Sequence, residues 1–528
     1  MRKAERMTAR SCTVGLDLGT TTLKAIAFDD TSGQPIARAT AHVALLSGGD
    51  APESEAAVGG GDETLRAEQD PDAVAEAATV ILAQVVAAAR ALNYRVVRVG
   101  ISAAMHSLLP LGADERPLAP ALLWMDGRAM EEAHALWETS AGKALYARTG
   151  TPIHAMTPLA KLLWLRARRP GIHAAAARFV SLKEWVWRRW LGGWEVDASI
   201  ASATGLYNLR ENAWDSEALR LAGIDATRLS ALVPTTIVRA GLGDERLLAA
   251  GLSAQTPFVI GASDGALANL GLGVVAGGAG EASDSVALTI GTSLALRIGS
   301  ARPMTDPATR AFCYVLDRGR YVVGGASNSG GNVLEWLGGV LRSETPEVGA
   351  EERLTALLLD AGKVEGGALL CLPYLTGERA PLWSARARAS FIGLDAQHTP
   401  AHLMRAACEG IIYNAWWIAS GLFTLTGRPR AILASGHVLD LPWMRHLVAD
   451  VFDLPVWAGG DADASARGAA ILARIATGAA TWDEALNGAS LVSDVDNSAV
   501  ATPNQAQTMR YQARSHRFRR FAEALNTG

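Results

Sequence analysis

Along the chain, short apolar runs alternate with glycine turns. CTVGLDL (12–18) reads as a strand, GTT as a turn and LKAIAFD (23–29) as a second strand, so the opening predicts a hairpin that QPIARATAHVAL extends as a meander. A periodic apolar stretch at about 70–92 predicts a packed helix leading into the strand VVRVGISA (96–103), a βαβ-like step that argues for a sheet covered by helices. From 126 to 255 the pattern is helical and aromatic, with KLLWLRARR and SLKEWVWRRW, whose tryptophans suit core or interface anchors.

Strand-and-turn signals return at TPFVIGA (256–262), SVALTIG (285–291) and RYVVGGA (320–326), and again in GALLCLP and RAILASG, so the second half repeats the character of the first. Two long helices are expected between and after these runs. One opens with Thr399 as cap and Pro400 in its first turn; the other, near 464–476, suits closing the back of an α/β domain. A boundary is expected near 265–280. This divides the chain into an N-terminal domain over 11–272, a C-terminal domain over 281–480 and an extension over 481–528 that ends in a basic helix assigned to surface packing.

With 528 residues the chain has length for two cores. Lys and Arg number 49 against 53 Asp and Glu, and 49% of residues are hydrophobic, which excludes an acidic disordered chain, a nucleic-acid coat and a fibrous rod. Cys12, Cys313, Cys371 and Cys408 have no spacing that suggests disulfides or a metal knuckle, so they read as buried thiols of a reducing compartment. The basic opening imitates a leader, but Asp17 interrupts its apolar stretch, and no run of about 20 uninterrupted apolar residues occurs. A cytoplasmic protein without membrane or nucleic-acid partners is therefore expected. The 53 glycines fall in two groups: a low-complexity stretch at 47–63 that reads as a mobile insertion, and turns closing short strands.

Those turns carry the candidate chemistry. Asp17 ends a strand at GLDLGTTT, where Thr20, Thr21 and Thr22 add hydroxyl and amide donors, a suitable station for phosphate and Mg²⁺; an ordinary hairpin whose Asp accepts turn amides fits the same residues. TIGTS (289–293) repeats the Gly-Thr chemistry and ASGH (434–437) adds a third glycine turn, which together favour nucleotide binding, with Lys24 a lesser candidate. There is neither a GxxxxGK[ST] loop nor a GxGxxG after a strand. His106 in SAAMHS and Asp126 and Arg128 in WMDGR follow apolar segments, where an open sheet presents ligand loops, and could hold a polyol. Asp264 in GASDG follows a strand and precedes a small-residue helix, a position for a general base in phosphoryl transfer or for a helix cap.

In this order these segments resemble the FGGY carbohydrate kinases, of the actin, sugar kinase and heat-shock ATPase superfamily, over about 12–480. DLGTT (17–21) resembles the family's first phosphate motif, TIGTS its second, GASDG (261–265) its base segment, and GERAPLW (377–383) with ARASFIGL (387–394) its signature region. Within the family, MHSLL, TGTPIH, TPLAKLLWL and DASIASATGLYN, with FCY (312–314) and GGASNSGG (324–331), are most similar to gluconate kinases.

The resemblance implies a two-domain α/β fold of the sugar kinase and actin-like ATPase (ribonuclease H-like) type with an interdomain cleft. It implies transfer of the γ-phosphoryl of ATP, with Mg²⁺, to the terminal hydroxyl of D-gluconate. Asp264 would be the base and Asp17 the carboxylate near the metal. Thr20, Thr21, Thr22, Lys24, Gly291, Thr292, Gly436 and His437 would line ATP, and Met105, His106, Asp126, Arg128 and Asp264 the substrate. Two departures stand out: the paired glycine of the adenosine turn is Gly436-His437 here, and Ala-Arg-Gly is Ala387-Arg388-Ala389. Xylulose or another polyol or sugar acid is the competing substrate. A non-catalytic sugar-binding regulator and an actin- or chaperone-like ATPase are the competing classes, and a homodimer is left open.

Overall fold

The computed structural model describes residues 9–46, 65–277, 282–341, 349–459, 463–489 and 500–526. The insertion expected at 47–63 lies outside the described residues. The chain forms two compact units, one comprising 1–273, 313–322 and 463–489, the other 274–312, 323–462 and 490–528.

The first unit is built on a mixed sheet. Its strands are β1 (Arg10–Leu18), β2 (Thr22–Asp29), β3 (Pro35–His42), β4 (Tyr94–Ala103), β5 (Val238–Arg239) and β6 (Phe258–Ser263), in the order β5-β6-β4-β1-β2-β3. The first three form the expected antiparallel meander, and β1, β4 and β6 run parallel. Their registers bring Asp17, Ser102 and Ala262 level, with Leu18, Ala103 and Ser263 one step on. Three loops therefore leave the carboxyl ends of adjacent parallel strands together, where open α/β sheets bind ligands.

Helix α1 (Pro71–Ala91) precedes β4, capped by Asp70, whose side chain accepts from the Asp72 N–H. Long and apolar enough to cross a membrane by length and composition, it buries Val74, Ala78, Ile81, Leu82, Val85 and Ala89 at helical spacing in packing on the sheet. The segment read as helical and aromatic contains α2 (Pro158–Arg168) and α3 (Leu182–Leu191), and many of its tryptophans, such as Trp137, Trp185, Trp187 and Trp190, are buried. Helix α4 (Asp264–Gly271) follows β6 directly.

The helix Ala464–Ala476 clusters with this unit and lies directly on the sheet. A Cβ on Gly15 of β1 would sit 1.9 Å from the Ala466 carbonyl oxygen, so only glycine admits the helix this close.

The second unit repeats the plan. Five strands of its sheet, β7 (Ser285–Ile290), β8 (Leu294–Ser300), β9 (Arg320–Ser327), β10 (Ala431–Ser435) and β11 (Val456–Ala458), lie in the order β9-β8-β7-β10-β11. β7 and β8 form an antiparallel hairpin, whereas β7, β10 and β11 run parallel. Helix α5 (Gly331–Val340) follows β9, α6 (Pro400–Thr426) has Thr399 at its N-cap position and a proline in its first turn, as expected, and α7 (Pro442–Phe452) connects β10 to β11.

The basic helix Gln505–Asn526 does more than cover a surface. Phe518 is fully buried beside Tyr374 and Tyr413, and Arg514 pairs with the buried carboxylate of Glu409. The many arginines conceal this face from a reading by composition. All four cysteines are buried and free.

Candidate active site

The carboxyl ends of β1, β4 and β6 gather most of the polar candidates of the first unit. Asp17 ends β1 level with Ser102, whose hydroxyl donates to Asp17 Oδ1 at 2.8 Å. Desolvation pushes the Asp17 carboxyl up to about 6, and the neighbouring charge of Asp264 adds to this, opposed by the Ser102 hydrogen bond and by Lys24. Two carboxylates thus share one environment, each making the other's charge costlier.

Asp264 is the first residue of α4 and is only partly buried; its Oδ1 accepts from the Gly265 N–H at 2.6 Å. The strand leading to it is braced from below. Lys183, wholly buried on α3, is paired with Asp197 at 2.7 Å and donates to the Ala262 carbonyl at 3.2 Å. The Ser199 hydroxyl accepts from the Ser263 N–H at 3.1 Å and lies 3.0 Å from the Ser263 hydroxyl. The backbone before Asp264 is therefore held at its carbonyl, its amide and a side chain.

The turn after Asp17 is tied to the WMDGR loop, because the indole N–H of Trp124 donates to the Thr20 hydroxyl at 3.0 Å. Thr21 is exposed, and the Thr22 hydroxyl lies 3.1 Å from His42 Nδ1. Lys24, whose direction the strand alternation leaves open, has its ammonium 3.5 Å from Asp463, just before the helix Ala464–Ala476.

In the WMDGR loop itself, Asp126 is almost wholly buried. It accepts the Ala67 N–H at 3.1 Å and pairs with Arg128, which also pairs with Glu68 and lies over the Trp164 ring at 4.6 Å. These two residues thus hold one another and shape the loop.

His106 is buried, with a left-handed backbone (φ +70°), its Nδ1 2.8 Å from the Ala203 carbonyl and its ring edge-on to Tyr314; Met105 beside it is half-buried. Beneath them lies Lys161 of α2, a residue the motif reading passed over. Fully buried, it donates to the carbonyls of His106 and Met156, and desolvation pulls its ammonium down to about 7. The signal was present: Lys161 interrupts the apolar face that Pro158, Leu162 and Leu165 form on the same helix.

In the second unit, Gly291 and Thr292 form the exposed tip of the β7–β8 hairpin, and the Gly291 N–H donates to the Ser293 carbonyl at 2.9 Å. Gly436 follows β10 beside the end of β7: its φ is +117° and a Cβ there would lie 1.9 Å from the Ile290 carbonyl oxygen. The second and third glycine turns are thus neighbours. His437 is fully exposed, its Nδ1 3.7 Å from Asp440.

Residues 12–271 match the N-terminal domain of the FGGY family of carbohydrate kinases, and residues 286–477 its C-terminal domain. A gluconokinase of Bacillus subtilis (strain 168) is 36% identical over 471 residues, covering 88% of this chain and 87% of that protein. Among solved structures, a ligand-bound xylulose kinase from Lactobacillus acidophilus superposes with a TM-score of 0.86 at 30% identity, covering 98% of both chains. A gluconate kinase from the same organism gives 0.86 at 29% identity, covering 98% of this chain and 99% of its own. With both halves matched and the strand ends arranged as above, the chain belongs to the FGGY family and is an ATP-dependent carbohydrate kinase.

Proposed function

We propose that this kinase transfers the γ-phosphoryl group of ATP to the terminal hydroxyl of D-gluconate, giving 6-phospho-D-gluconate. The observation that carries the chemistry is the shared environment of Asp17 and Asp264 at the carboxyl ends of β1 and β6, the two strands that flank β4, the first pushed up to about 6 and the second partly open at a helix start. The substrate rests on the 36% identity to a gluconokinase.

Asp264 orients the acceptor hydroxyl and takes its proton as the new O–P bond forms and the bond to the β-phosphate oxygen of departing ADP breaks. Bracing by Lys183 and Ser199 keeps its carboxylate in place for that contact. His106, with Met105 at its side and Asp126 and Arg128 shaping the loop, lines the polyol. The turn Thr20–Thr22 with Lys24, the tip Gly291–Thr292 and the turn Gly436–His437 meet ATP. The Asp17 and Asp264 carboxylates fit a hydrated Mg²⁺ bound mainly through water and phosphate, and Asp17 would hold it; such an ion neutralises phosphate charge. Four buried free thiols and the use of ATP suit the cytoplasm.

Xylulose is the second reading, because the xylulose kinase structure superposes as closely as the gluconate kinase. An ADP-release assay with Mg²⁺-ATP against gluconate, xylulose, ribulose and glycerol decides between them, and a xylulose preference overturns the gluconate assignment. Asp264→Asn is expected to lower kcat by about 10²- to 10⁴-fold with ATP affinity retained; unchanged turnover removes Asp264 as the base.

A further inference from the structure

The GERAPLW segment carries the family resemblance but no assigned role, and its Glu378 is 3% exposed. Five donors converge on this carboxylate. Oε1 accepts the backbone N–H groups of Asn328 (2.8 Å) and Arg379 (2.7 Å); Oε2 faces the hydroxyls of Ser327 (2.7 Å) and Ser329 (2.9 Å) and the amide of Asn414 (3.2 Å). The Ser329 hydroxyl also lies 2.9 Å from the Pro373 carbonyl, between which and Glu378 it shares its one proton. Burial pushes the Glu378 carboxyl up, and the bonds from Asn328, Ser327 and Ser329 oppose this. Arg379 completes the clamp, reaching Asn328 Oδ1 at 2.8 Å and the Ser327 carbonyl at 3.0 Å.

Three of these donors, Ser327 at the end of β9 and Asn328 and Ser329 in the loop that leads to α5, are consecutive, and the next residues lie on the hairpin tip. The Gly331 N–H donates to the Gly291 carbonyl at 2.7 Å and the Asn332 N–H to the Thr292 carbonyl at 3.2 Å. A Cβ on Gly330 would approach the Ser293 carbonyl carbon to 2.7 Å, so the loop and the tip touch backbone to backbone. A carboxylate that fixes three consecutive residues therefore fixes, through the next three, the shape of the tip.

We propose that Glu378 is a positioning residue for nucleotide binding: it holds the 327–331 loop so that the Gly291–Thr292 tip keeps the conformation that receives the phosphates of ATP. This rests on the reading of that tip as a phosphate turn. Within the same unit Glu409 is an equally buried carboxylate, engaged by Arg405, Arg514 and the Tyr413 hydroxyl and by none of residues 327–332, and serves as the contrast.

The test titrates Mg²⁺-ATP into the wild-type chain and into Glu378→Gln, Ser329→Ala and Glu409→Gln, with gluconate KM and Tm measured on each. Glu378→Gln presents an N–H₂ group to a ring of donors. It is expected to weaken ATP by roughly tenfold, and Ser329→Ala by roughly threefold, with gluconate KM unchanged. Glu409→Gln should lower Tm with ATP affinity intact. Unaltered ATP affinity in Glu378→Gln, or equal losses for ATP and gluconate matched by Glu409→Gln, overturns the proposal. Should Glu378→Gln fail to fold, Ser329→Ala decides, and unchanged ATP affinity there overturns it. A wild-type chain that binds no Mg²⁺-ATP overturns the phosphate-turn reading itself, a result distinct from binding that Glu378 leaves unaffected.

Discussion

Lys161 donates from full burial to the carbonyl of His106, a residue held in the left-handed region at φ +70°. Its second acceptor is the Met156 carbonyl at 2.8 Å. With its ammonium pulled down to about 7, the side chain can be a neutral amine whose two N–H groups match those two carbonyls. A motif reading weighs His106 for its ring, whereas the fold engages its backbone as well.

Lys161→Met keeps the apolar stem and removes both donors. It is expected to cost about 1–3 kcal/mol at neutral pH, read by denaturant unfolding, and to raise the KM for the sugar acid several-fold as the His106 loop loosens. The lysine also gives a pH signature. Its pKa in the fold lies below its ordinary value of 10.5, so between about pH 7 and 10.5 the unfolded chain binds the additional proton. This contribution to stability therefore rises with pH across that window, and the rise should be smaller in Lys161→Met.

The Asp17 carboxyl behaves in the opposite sense. With its pKa raised from 3.8 to about 6, the folded chain binds more protons than the unfolded one between those values, so its contribution to stability falls as pH climbs from about 4 to 6. Asp17→Asn should accordingly raise Tm at pH 7, by removing the cost of burying a charge and, with it, the repulsion from Asp264, while abolishing turnover. Wild-type kcat/KM should fall as the pH drops through about 6 and Asp17 takes up a proton. A Tm that falls in Asp17→Asn would contradict the shared environment of the two carboxylates.

Gly436→Ala tests the third glycine turn. The added Cβ would meet the Ile290 carbonyl oxygen at 1.9 Å, and the backbone at φ +117° is strained for any L side chain. A loss of about 2 kcal/mol or more is expected in unfolding experiments. ATP affinity should drop with it, because β7 must move away from the turn that follows β10. An alanine variant with unchanged Tm and unchanged ATP affinity would refute this close approach.

Much of the fold is legible in local pattern. The meander, the helix before β4, the repeat of strand-and-turn signals and the Thr399–Pro400 helix start depend on periodicity and on turn or cap residues that act within a few positions. The helix Ala464–Ala476 was legible as a helix but not as a partner of β1, since the fit depends on Gly15, far away in sequence. The WMDGR loop shows the same limit: its acid and its base were legible as candidates, but the pairing of Arg128 with Glu68 and the closure of Asp126 by the Ala67 N–H were not.

By itself, the sequence determined where strands end and turns begin, which carboxylates stand at those ends, and that the order of these segments is that of the FGGY kinases. Tertiary structure alone decided which groups share an environment. Asp17 meets Ser102 across 85 positions, Lys161 meets His106 across 55, and Glu378 gathers Ser327 across 51. The physical reason is that a side chain's charge and its hydrogen bonds are set by desolvation and by neighbours, and both come from residues that only folding brings together.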